Sequence, residues 1–341
     1  MKRIASIIVV VVLIVAALAA WRLLGSNTGF TENKKNFYIK TGSSFNTVMN
    51  ELVEENIIKN PGTFEWAAKQ LDYNSRVKAG KYVIEKGASI ITIVRMLRSG
   101  KQTPVNLVIN KLRTREDLAK KVAASFECDS IAFINLITNM DTLRKLGLDT
   151  NTVMTIVIPN TYTFFWNTPP YRIFKKLYEE KEKFWNDQRK AQAHGLNLTT
   201  AEVYTLASIV EEETNSAEDK GKVASVYLNR LETGMRLAAD PTVKFAMKDF
   251  GLKRIYFKHL KYPSPYNTYL NAGLPPGPIC TPSTKTIDAV LEAPSTSYLF
   301  FVAKPDLRGG SNFATNYQDH QRYAKAYQRA LDSMIIARQQ R

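Results

Sequence analysis

The sequence predicts an α+β fold in three parts: an N-terminal transmembrane helix, a small α+β module, and a larger mixed α/β domain with a helical core around its candidate site. Three observations predict this division. An uncharged apolar run opens the chain, strand and helix patterns follow one another over 37–104, and a capped helix ending in three acids lies at 199–214. With 341 residues and 45% hydrophobic content, the chain can bury more than one core.

The first element is a candidate membrane anchor. Two basic residues, Lys2 and Arg3, precede the uncharged run "IASIIVVVVLIVAALAAW", which is about long enough to cross a bilayer as a helix. The positive charge and the terminal Trp predict a single pass through the cytoplasmic (inner) membrane, with the N-terminus cytoplasmic and the rest periplasmic. A cleavable signal peptide is the alternative, because Ala17-Leu18-Ala19 resembles a cleavage site. The length of the run favours a retained anchor.

The remaining boundaries come from composition and periodicity. We expect the anchor over 1–25, a polar juxtamembrane linker over 26–36, the small module over 37–104 and the larger domain over 105–341. In the module, "FYIKTGSS" and "AGKYVIEKG" have strand patterns, whereas "SFNTVMNELVEENII", "TFEWAAKQL" and "SIITIVRMLRSG" have helical periods. Small units of this kind often bind linear polymers.

Charge and cysteine content limit the possible partners. The formal net charge of +16 favours polyanions or an anionic membrane surface. The basic residues are scattered and no nucleic-acid motif is visible, so we expect no nucleic-acid partner. The two cysteines, Cys128 and Cys280, are too few for a disulfide framework, and whether they pair is left open. The three histidines lack metal-ligand spacing, so neither a metal nor a cofactor is expected.

The stretch "LTTAEVYTLASIVEEET" predicts a helix that opens with a Thr199–Glu202 capping box. Its apolar positions define one face of a helical wheel. Glu213 projects about 50° from the centre of that face, Glu211 about 110° away, and Glu212 nearly opposite. We therefore expect Glu212 to be solvated, Glu211 to lie at the boundary and Glu213 to face inward.

An inward carboxyl group suggests acid catalysis. Apolar surroundings and neighbouring acids favour its neutral form, which is the form that a general acid needs at neutral pH. The alternative is structural: Glu213 ends the helix and pairs with Lys220 or Lys222. Helix geometry alone does not decide between these two interpretations.

Later segments supply candidate binding residues. Asn229 falls near the end of a second helix, and Asp240 is predicted to cap a third. The Pro-rich loop "YPSPYNTYLNAGLPPGPICTP" contributes Tyr266, Asn267 and Tyr269, whose amide and rings suit a carbohydrate cleft. A stiff surface loop is the alternative. Likewise, the aromatic-rich loop "IPNTYTFFWNTPP" is either a sugar-stacking platform or a set of core side chains.

Several of these segments resemble one family. "ASIVEEET", "KVASVYLNRLETGMRLAADPTV", "SPYNTYLNAGLPPGPICTP" and "YLFFVA…FATNYQDHQRY" are similar to motifs of the endolytic murein transglycosylases, the YceG-like family. The stretch "KAGKYVIEKGASIITIVRMLRSG" looks like that family's LysM-like module. The likeness covers nearly the whole chain. Two departures are Ala238, where the family usually has Gln, and Asn160, where an Asp is common.

The resemblance implies a reaction and its residues. Glu213 corresponds to the catalytic acid of the family's E-x-E-T motif, and Asp240, Glu211 and Asn267 are candidate orienting groups. The expected reaction cuts nascent peptidoglycan between N-acetylmuramic acid (MurNAc) and N-acetylglucosamine (GlcNAc), leaves 1,6-anhydroMurNAc ends and ends strand elongation. Peptidoglycan synthases are the expected protein partners.

Three other functions remain as alternatives. The nearest is a hydrolase, which would leave reducing ends. A non-catalytic peptidoglycan-binding scaffold would not need Glu213. An exported binder of nucleic acid or anionic lipid is supported by the net charge alone.

Overall fold

The structure, a computed structural model, describes residues 2–339, which form fifteen α-helices and six β-strands. The helices are α1 (Lys2–Leu24), α2 (Phe45–Glu54), α3 (Pro61–Gln70), α4 (Ile90–Ser99), α5 (Arg115–Ser125), α6 (Ser130–Ile137), α7 (Met140–Arg144), α8 (Pro170–Phe184), α9 (Asp187–Gly195), α10 (Thr200–Glu213), α11 (Ala217–Glu232), α12 (Asp240–Met247), α13 (Phe257–Leu260), α14 (Thr284–Leu291) and α15 (Tyr317–Gln339). The strands are β1 (Lys34–Ile39), β2 (Gly80–Glu85), β3 (Val105–Ile109), β4 (Asn160–Phe164), β5 (Phe300–Ala303) and β6 (Ser311–Ala314).

The strands of the described chain form three two-stranded sheets: β1 with β2, β3 with β4, and β5 with β6. The β1–β2 and β5–β6 pairs are antiparallel. The mixture of helices and strands agrees with the predicted class.

The chain also divides into two compact units. One holds the chain up to residue 107 with 123–129 and 163–169, and the other holds 108–122, 130–162 and the chain from 170 onward.

Helix α1 is long and apolar enough to span a membrane over Arg3–Leu24, and none of that window is buried inside the protein. Its composition follows directly from the uncharged run at the start of the sequence. This feature is compatible with a single-pass anchor.

The first unit has its own core beneath the β1–β2 sheet. Phe37 and Ile39 alternate with more exposed residues along β1 and are fully buried. The predicted N-cap, Ser44, accepts a hydrogen bond from the Thr47 backbone N–H and starts α2. At the other end of the unit, Gly100 closes α4 in the left-handed conformation, at φ 71°, where glycine avoids the steric cost of a Cβ atom.

Part of the range 26–36, predicted as a polar linker, is hydrogen-bonded to the first unit. The Asn27 side-chain oxygen accepts hydrogen bonds from the backbone N–H groups of Lys59 and Asn60, both at 3.2 Å. Thr28 forms a β-bridge with Ile58, and β1 begins before the range ends. Asn27 and Thr28 are therefore held against residues 58–60 of the first unit.

In the second unit, α10 is buried on every side rather than along one stripe. All residues from Val203 to Val210 are buried, because α9, α11, α12 and α14 pack around the helix. Two polar side chains outside the predicted apolar face are satisfied internally. The Tyr204 hydroxyl donates to the Val157 carbonyl at 2.6 Å, and Ser208 Oγ accepts from the Ile279 N–H at 3.0 Å. The helical wheel therefore predicted the helix but not the burial of its other faces.

Two other elements differ from the sequence expectation. Part of the predicted aromatic loop is strand β4, in which Tyr162 is buried and donates its hydroxyl to the Ile158 carbonyl. Tyr162 is thus a core side chain. Nearby, Phe165 is exposed and Trp166 packs on Tyr38 with ring centroids 5.0 Å apart.

Candidate active site

The three acids that end α10 have different partners. A helix C-terminus carries the negative end of the helix dipole, so three carboxylates there need compensation. Glu211 and Glu212 receive it from cations, whereas the hydrogen bond that Glu213 accepts comes from the neutral hydroxyl of Tyr227. This difference separates the candidate catalytic group from its neighbours.

Glu211 is held by a polar cluster. Lys220 Nζ lies 2.8 Å from Glu211 Oε2, Ser283 Oγ donates to the same oxygen at 3.1 Å, and Thr286 Oγ1 also donates to it. Burial acts to raise the pKa of Glu211, but these donors and the Lys220 charge together hold it below its ordinary value. Glu211 is therefore ionised, as part of a satisfied network. The same side chain lines a cavity of about 430 Å³ that Asn160 also borders.

Glu212 is not solvated, which corrects the wheel-based expectation. Its side chain is 17% exposed and lies 2.8 Å from Lys111 Nζ and 3.1 Å from Arg113. Burial tends to raise its pKa, yet the two cations hold that pKa below the ordinary value. The physical reason is that residues 111–113 cover this side of α10: Leu112 and Thr281 exchange two hydrogen bonds beside it.

Glu213 is partly buried at the end of α10. The Tyr227 hydroxyl donates a hydrogen bond of 2.7 Å to Glu213 Oε1. Burial raises the pKa of Glu213 to about 7, and the negative charge of Asp240 acts in the same direction. The Tyr227 hydrogen bond and the positive charges of Arg230 and Lys244 oppose that rise. A large fraction of the group thus carries a proton near neutral pH.

The structural alternative for Glu213 is wrong in this structure. Lys220 pairs with Glu211 instead. Lys222 lies over the ring of Phe313, with its Nζ 5.7 Å from the centroid. Neither cation is the ion-pair partner that would keep Glu213 charged.

Tyr227 and Arg230 are candidate site residues that sequence reasoning missed. Tyr227 is 1% exposed on α11, and burial keeps the pKa of its hydroxyl well above 10, so it acts as a neutral donor. Arg230 is 8% exposed, and its guanidinium donates to the carbonyls of Leu237 at 2.7 Å and Leu299 at 2.8 Å. A buried tyrosine in "SVYLNRL" usually needs a partner for its hydroxyl, which is the signal that could have found it.

Asp240 and Tyr269 form a pair near Glu213. The Tyr269 hydroxyl donates to Asp240 Oδ1 at 2.7 Å, and burial together with this bond raises the pKa of Tyr269 well above 10. Asp240 is exposed and is the first residue of α12, whereas Ala239 takes the N-cap position assigned to Asp240 from sequence. The charge of Asp240 acts on Glu213, and the charge of Glu213 acts on Tyr269. The structure therefore brings these two predicted residues close to the candidate acid.

Two predicted binding residues make hydrogen bonds within the fold. Asn267 is 0% exposed, and its amide donates to the carbonyls of Leu260 at 2.9 Å and Tyr262 at 2.8 Å. Asn229 donates both amide hydrogens to the carbonyls of Thr296 at 2.8 Å and Tyr298 at 2.9 Å. Backbone carbonyls therefore occupy the N–H donors of both amides, and the role of these residues in sugar binding stays a prediction.

Tyr266 has a mixed environment. Its ring packs on Phe245 with centroids 4.8 Å apart, and its hydroxyl lies 3.5 Å from Asn151 Oδ1. Burial raises the pKa of Tyr266 to about 12. The ring is therefore largely part of the wall of the second unit.

Neither cysteine forms a disulfide. Cys128 and Cys280 are both free thiols, and burial raises the pKa of each. Among the described residues, no group of three or more His, Cys, Asp or Glu side chains is placed to hold a metal ion.

Comparison with known proteins connects this site to a family. The chain is 29% identical to a protein of Bacillus subtilis (strain 168) named "Endolytic murein transglycosylase", over 86% of this chain and 84% of that one. It is 26% identical to a Streptococcus pneumoniae (strain D39) protein of the same name, covering 83% of this chain and 56% of the relative.

A solved structure has the same fold. The crystal structure of a yceG-like protein from Listeria monocytogenes matches 86% of this chain and 99% of its own, with a TM-score of 0.60 and 24% identity. The model of the YceG-like family matches residues 37–326, which include every candidate site residue named above. The chain belongs to the YceG-like family.

Proposed function

We propose that the chain is a membrane-anchored lytic transglycosylase that cleaves inside glycan strands of peptidoglycan, at the β-1,4 bond between MurNAc and GlcNAc. The observation that carries the proposal is the environment of Glu213: a partly buried carboxyl group with a pKa of about 7 and a neutral hydrogen-bond donor. The names of the Bacillus and Streptococcus relatives support the reaction class.

The proposed reaction needs one carboxyl group in two protonation states. Protonated Glu213 donates its proton to the glycosidic oxygen as the bond from that oxygen to the MurNAc anomeric carbon breaks. The Glu213 carboxylate then accepts the proton of the MurNAc 6-hydroxyl as that oxygen bonds to the anomeric carbon. The products are a GlcNAc hydroxyl end and a 1,6-anhydroMurNAc end. Glu213 regains its proton, and no water is consumed.

In this scheme the reaction needs no second catalytic carboxylate. A hydrolytic glycosidase uses a pair of acids, one of which activates water or attacks the sugar. Here the substrate supplies its own nucleophile. Tyr227 holds Glu213 Oε1, so the other carboxyl oxygen is the one left for the proton transfers. Asp240 is the proposed orienting and electrostatic partner, fixed by Tyr269.

The first unit is the proposed glycan-binding module. We assign a LysM-like role to residues 37–104 and the catalytic domain to 105–341. Support comes from the separate core of the first unit and from the antiparallel β1–β2 pair with α2 and α3 between its strands. A module that grips a strand would hold the polymer while the second unit cuts it.

Location at the membrane is part of the proposal. Helix α1 would cross the cytoplasmic membrane once, with its N-terminus cytoplasmic and both units outside. Such a tether restricts the enzyme to strands near the membrane, which are the newly made ones. Cleavage there would end elongation, and peptidoglycan synthases are the protein partners that this role requires.

Product analysis tests the proposal. Purified peptidoglycan is digested with the full-length protein, and the new strand ends are identified by mass. We expect 1,6-anhydroMurNAc ends from internal cuts. Reducing ends would identify a hydrolase, and the absence of new ends from a folded protein would favour the non-catalytic scaffold.

A further inference from the structure

The segment 250–262, which we call the basic aromatic loop, follows α12 and precedes the Pro-rich loop. Its short helix α13 contains no buried residue. Phe257 is 88% exposed, more than any other large hydrophobic side chain in the described chain. Tyr256 beside it is 56% exposed. Aromatic side chains exposed to this extent side by side usually mark an interaction surface.

The charge of the loop has one sign. Lys253, Arg254, Lys258 and Lys261 are all exposed, and none has a carboxylate within ion-pair distance in the part of the chain described. No acidic residue occurs between Asp249 and Asp288. The four cations are therefore available to an anionic partner.

The base of the loop is fixed at both ends. At the start, the ring centroid of Phe250 lies 6.2 Å from the ring centroid of Phe245. The same centroid lies 4.9 Å from the guanidinium carbon of Arg113. At the end, the buried amide of Asn267 binds the carbonyls of Leu260 and Tyr262. The exposed rings and cations are thus presented from an ordered base, which lowers the entropy lost on binding.

We infer that the basic aromatic loop docks the second unit onto an anionic lipid surface, with Phe257 and Tyr256 in the interfacial layer and the four cations against the headgroups. Aromatic rings and basic side chains are the groups that the bilayer interface favours. Each Lys or Arg near an anionic leaflet adds to the attraction. The candidate span in α1 would keep the chain at such a surface. This role goes beyond the proposed cleavage reaction and is independent of it.

The composition of the loop favours a lipid surface over a glycan. Residues 250–262 contain no Asp, Glu, Asn, Gln, Ser or Thr. The loop therefore offers sugar hydroxyls no carboxylate, amide or aliphatic hydroxyl oxygen, and its side-chain oxygens are those of Tyr256 and Tyr262. Phe257 has no polar atom at all, so an apolar medium favours burial of its whole ring. A lipid interface supplies both that medium and the anionic groups.

The direct test places a fluorophore at the tip. Full-length Phe257→Trp protein is reconstituted in nanodiscs that contain brominated lipids, which quench tryptophan on contact. Wild type has four tryptophans of its own, so the fluorescence of residue 257 is obtained as the difference between the variant and wild type. Tyr171→Trp is the matched control, because Tyr171 is exposed (57%) and lies outside the loop.

The inference predicts strong quenching at 257 in nanodiscs with anionic lipid and little at 171. Quenching at 257 should fall by about half or more at about 1 M salt, where the Debye length is about 3 Å. Reversal of the four cations to Glu should abolish it, while the rate on soluble glycan fragments stays unchanged. No quenching at 257, or equal quenching with zwitterionic lipid alone, would overturn the inference. If reversal of the four cations abolished peptidoglycan binding but left the quenching at residue 257 unchanged, the loop would be assigned to the polymer instead.

Discussion

The Tyr227 hydroxyl donates a 2.7 Å hydrogen bond to Glu213 Oε1, and both groups lie where α10 and α11 meet. This bond stabilises the charged form of a carboxyl group that burial keeps largely neutral. The balance between these two effects sets the pKa of about 7. That value suits a group that must both give and take a proton near neutral pH.

Replacement of Tyr227 by Phe tests this balance. Without the hydroxyl, the carboxylate loses a stabilising donor, so the pKa of Glu213 should rise further. We expect the basic limb of the pH profile of kcat/KM to move up by about one unit, the equivalent of a charged hydrogen bond worth about 1.5 kcal/mol. Tyr204→Phe is the matched control, because Tyr204 is also fully buried and donates to a carbonyl at 2.6 Å. A uniform loss of rate at all pH values would indicate a merely structural role for Tyr227.

Replacement of Asp240 by Asn should move the same limb in the opposite direction. The charge of Asp240 raises the pKa of Glu213, so its removal lowers that pKa and makes activity fall at lower pH. Asn can still accept the Tyr269 hydrogen bond. Because Asp240 is exposed, we expect a shift of less than about one unit that becomes smaller as salt screens the charge. An unchanged profile at low salt would remove Asp240 from the electrostatics of the site.

Glu211→Gln should affect stability more than catalysis. The change leaves Lys220 without its ionic partner, at a cost of about 1–3 kcal/mol in the free energy of unfolding at pH 7. The pKa of Glu211 is depressed in the folded state, so its stabilising effect is present above 4.5 and is lost as the pH falls through the folded value. The thermal unfolding temperatures of wild type and Glu211→Gln should therefore converge at acidic pH. Loss of product formation by a folded variant would show that Glu211 acts on the substrate.

Asn267→Ala should also act through the fold. The substitution leaves the carbonyls of Leu260 and Tyr262 without their donors and should lower the free energy of unfolding by about 2 kcal/mol. Asn271→Ala is the control, since Asn271 makes a similar pair of hydrogen bonds on the exposed surface and should cost less. Denaturant unfolding measures both. Equal costs for the two variants would contradict the importance of burial at position 267.

The position of Glu213 was predictable because it depends on helix periodicity. An α-helix fixes the angular spacing of its residues, so "ASIVEEET" defines which acid follows the apolar face. The surroundings of Glu212 were not predictable in this way. They depend on Lys111 and Arg113, which come from a segment about one hundred residues earlier, and no local pattern shows that this segment covers α10.

The internal hydrogen bonds of the amides were not predictable for a related reason. A Pro-rich loop with Tyr and Asn residues has the composition of a sugar site, but the same composition also suits an irregular backbone that needs internal donors. Asn267 satisfies two carbonyls of such a backbone. Tyr227 was not singled out from the sequence, because it lies among Val223, Ala224 and Val226 and reads as one more apolar position when the partner of its hydroxyl is unknown.

The central claim is that Glu213 performs the chemistry, and the most direct measurement compares wild type with Glu213→Gln. Folding of the variant is checked first. The folded pKa of Glu213 is raised, so wild type should lose up to about 3 kcal/mol of stability as the pH rises from 4.5 through 7, while Glu213→Gln should not. The variant should therefore be the more stable protein at pH 8.

Both proteins, with Glu218→Gln as an exposed-acid control, are then incubated with purified peptidoglycan, and anhydroMurNAc ends are counted. The account predicts such ends from wild type and the control, and a loss of at least about a hundredfold with Glu213→Gln. Formation of anhydroMurNAc ends by folded Glu213→Gln at the wild-type rate would contradict it.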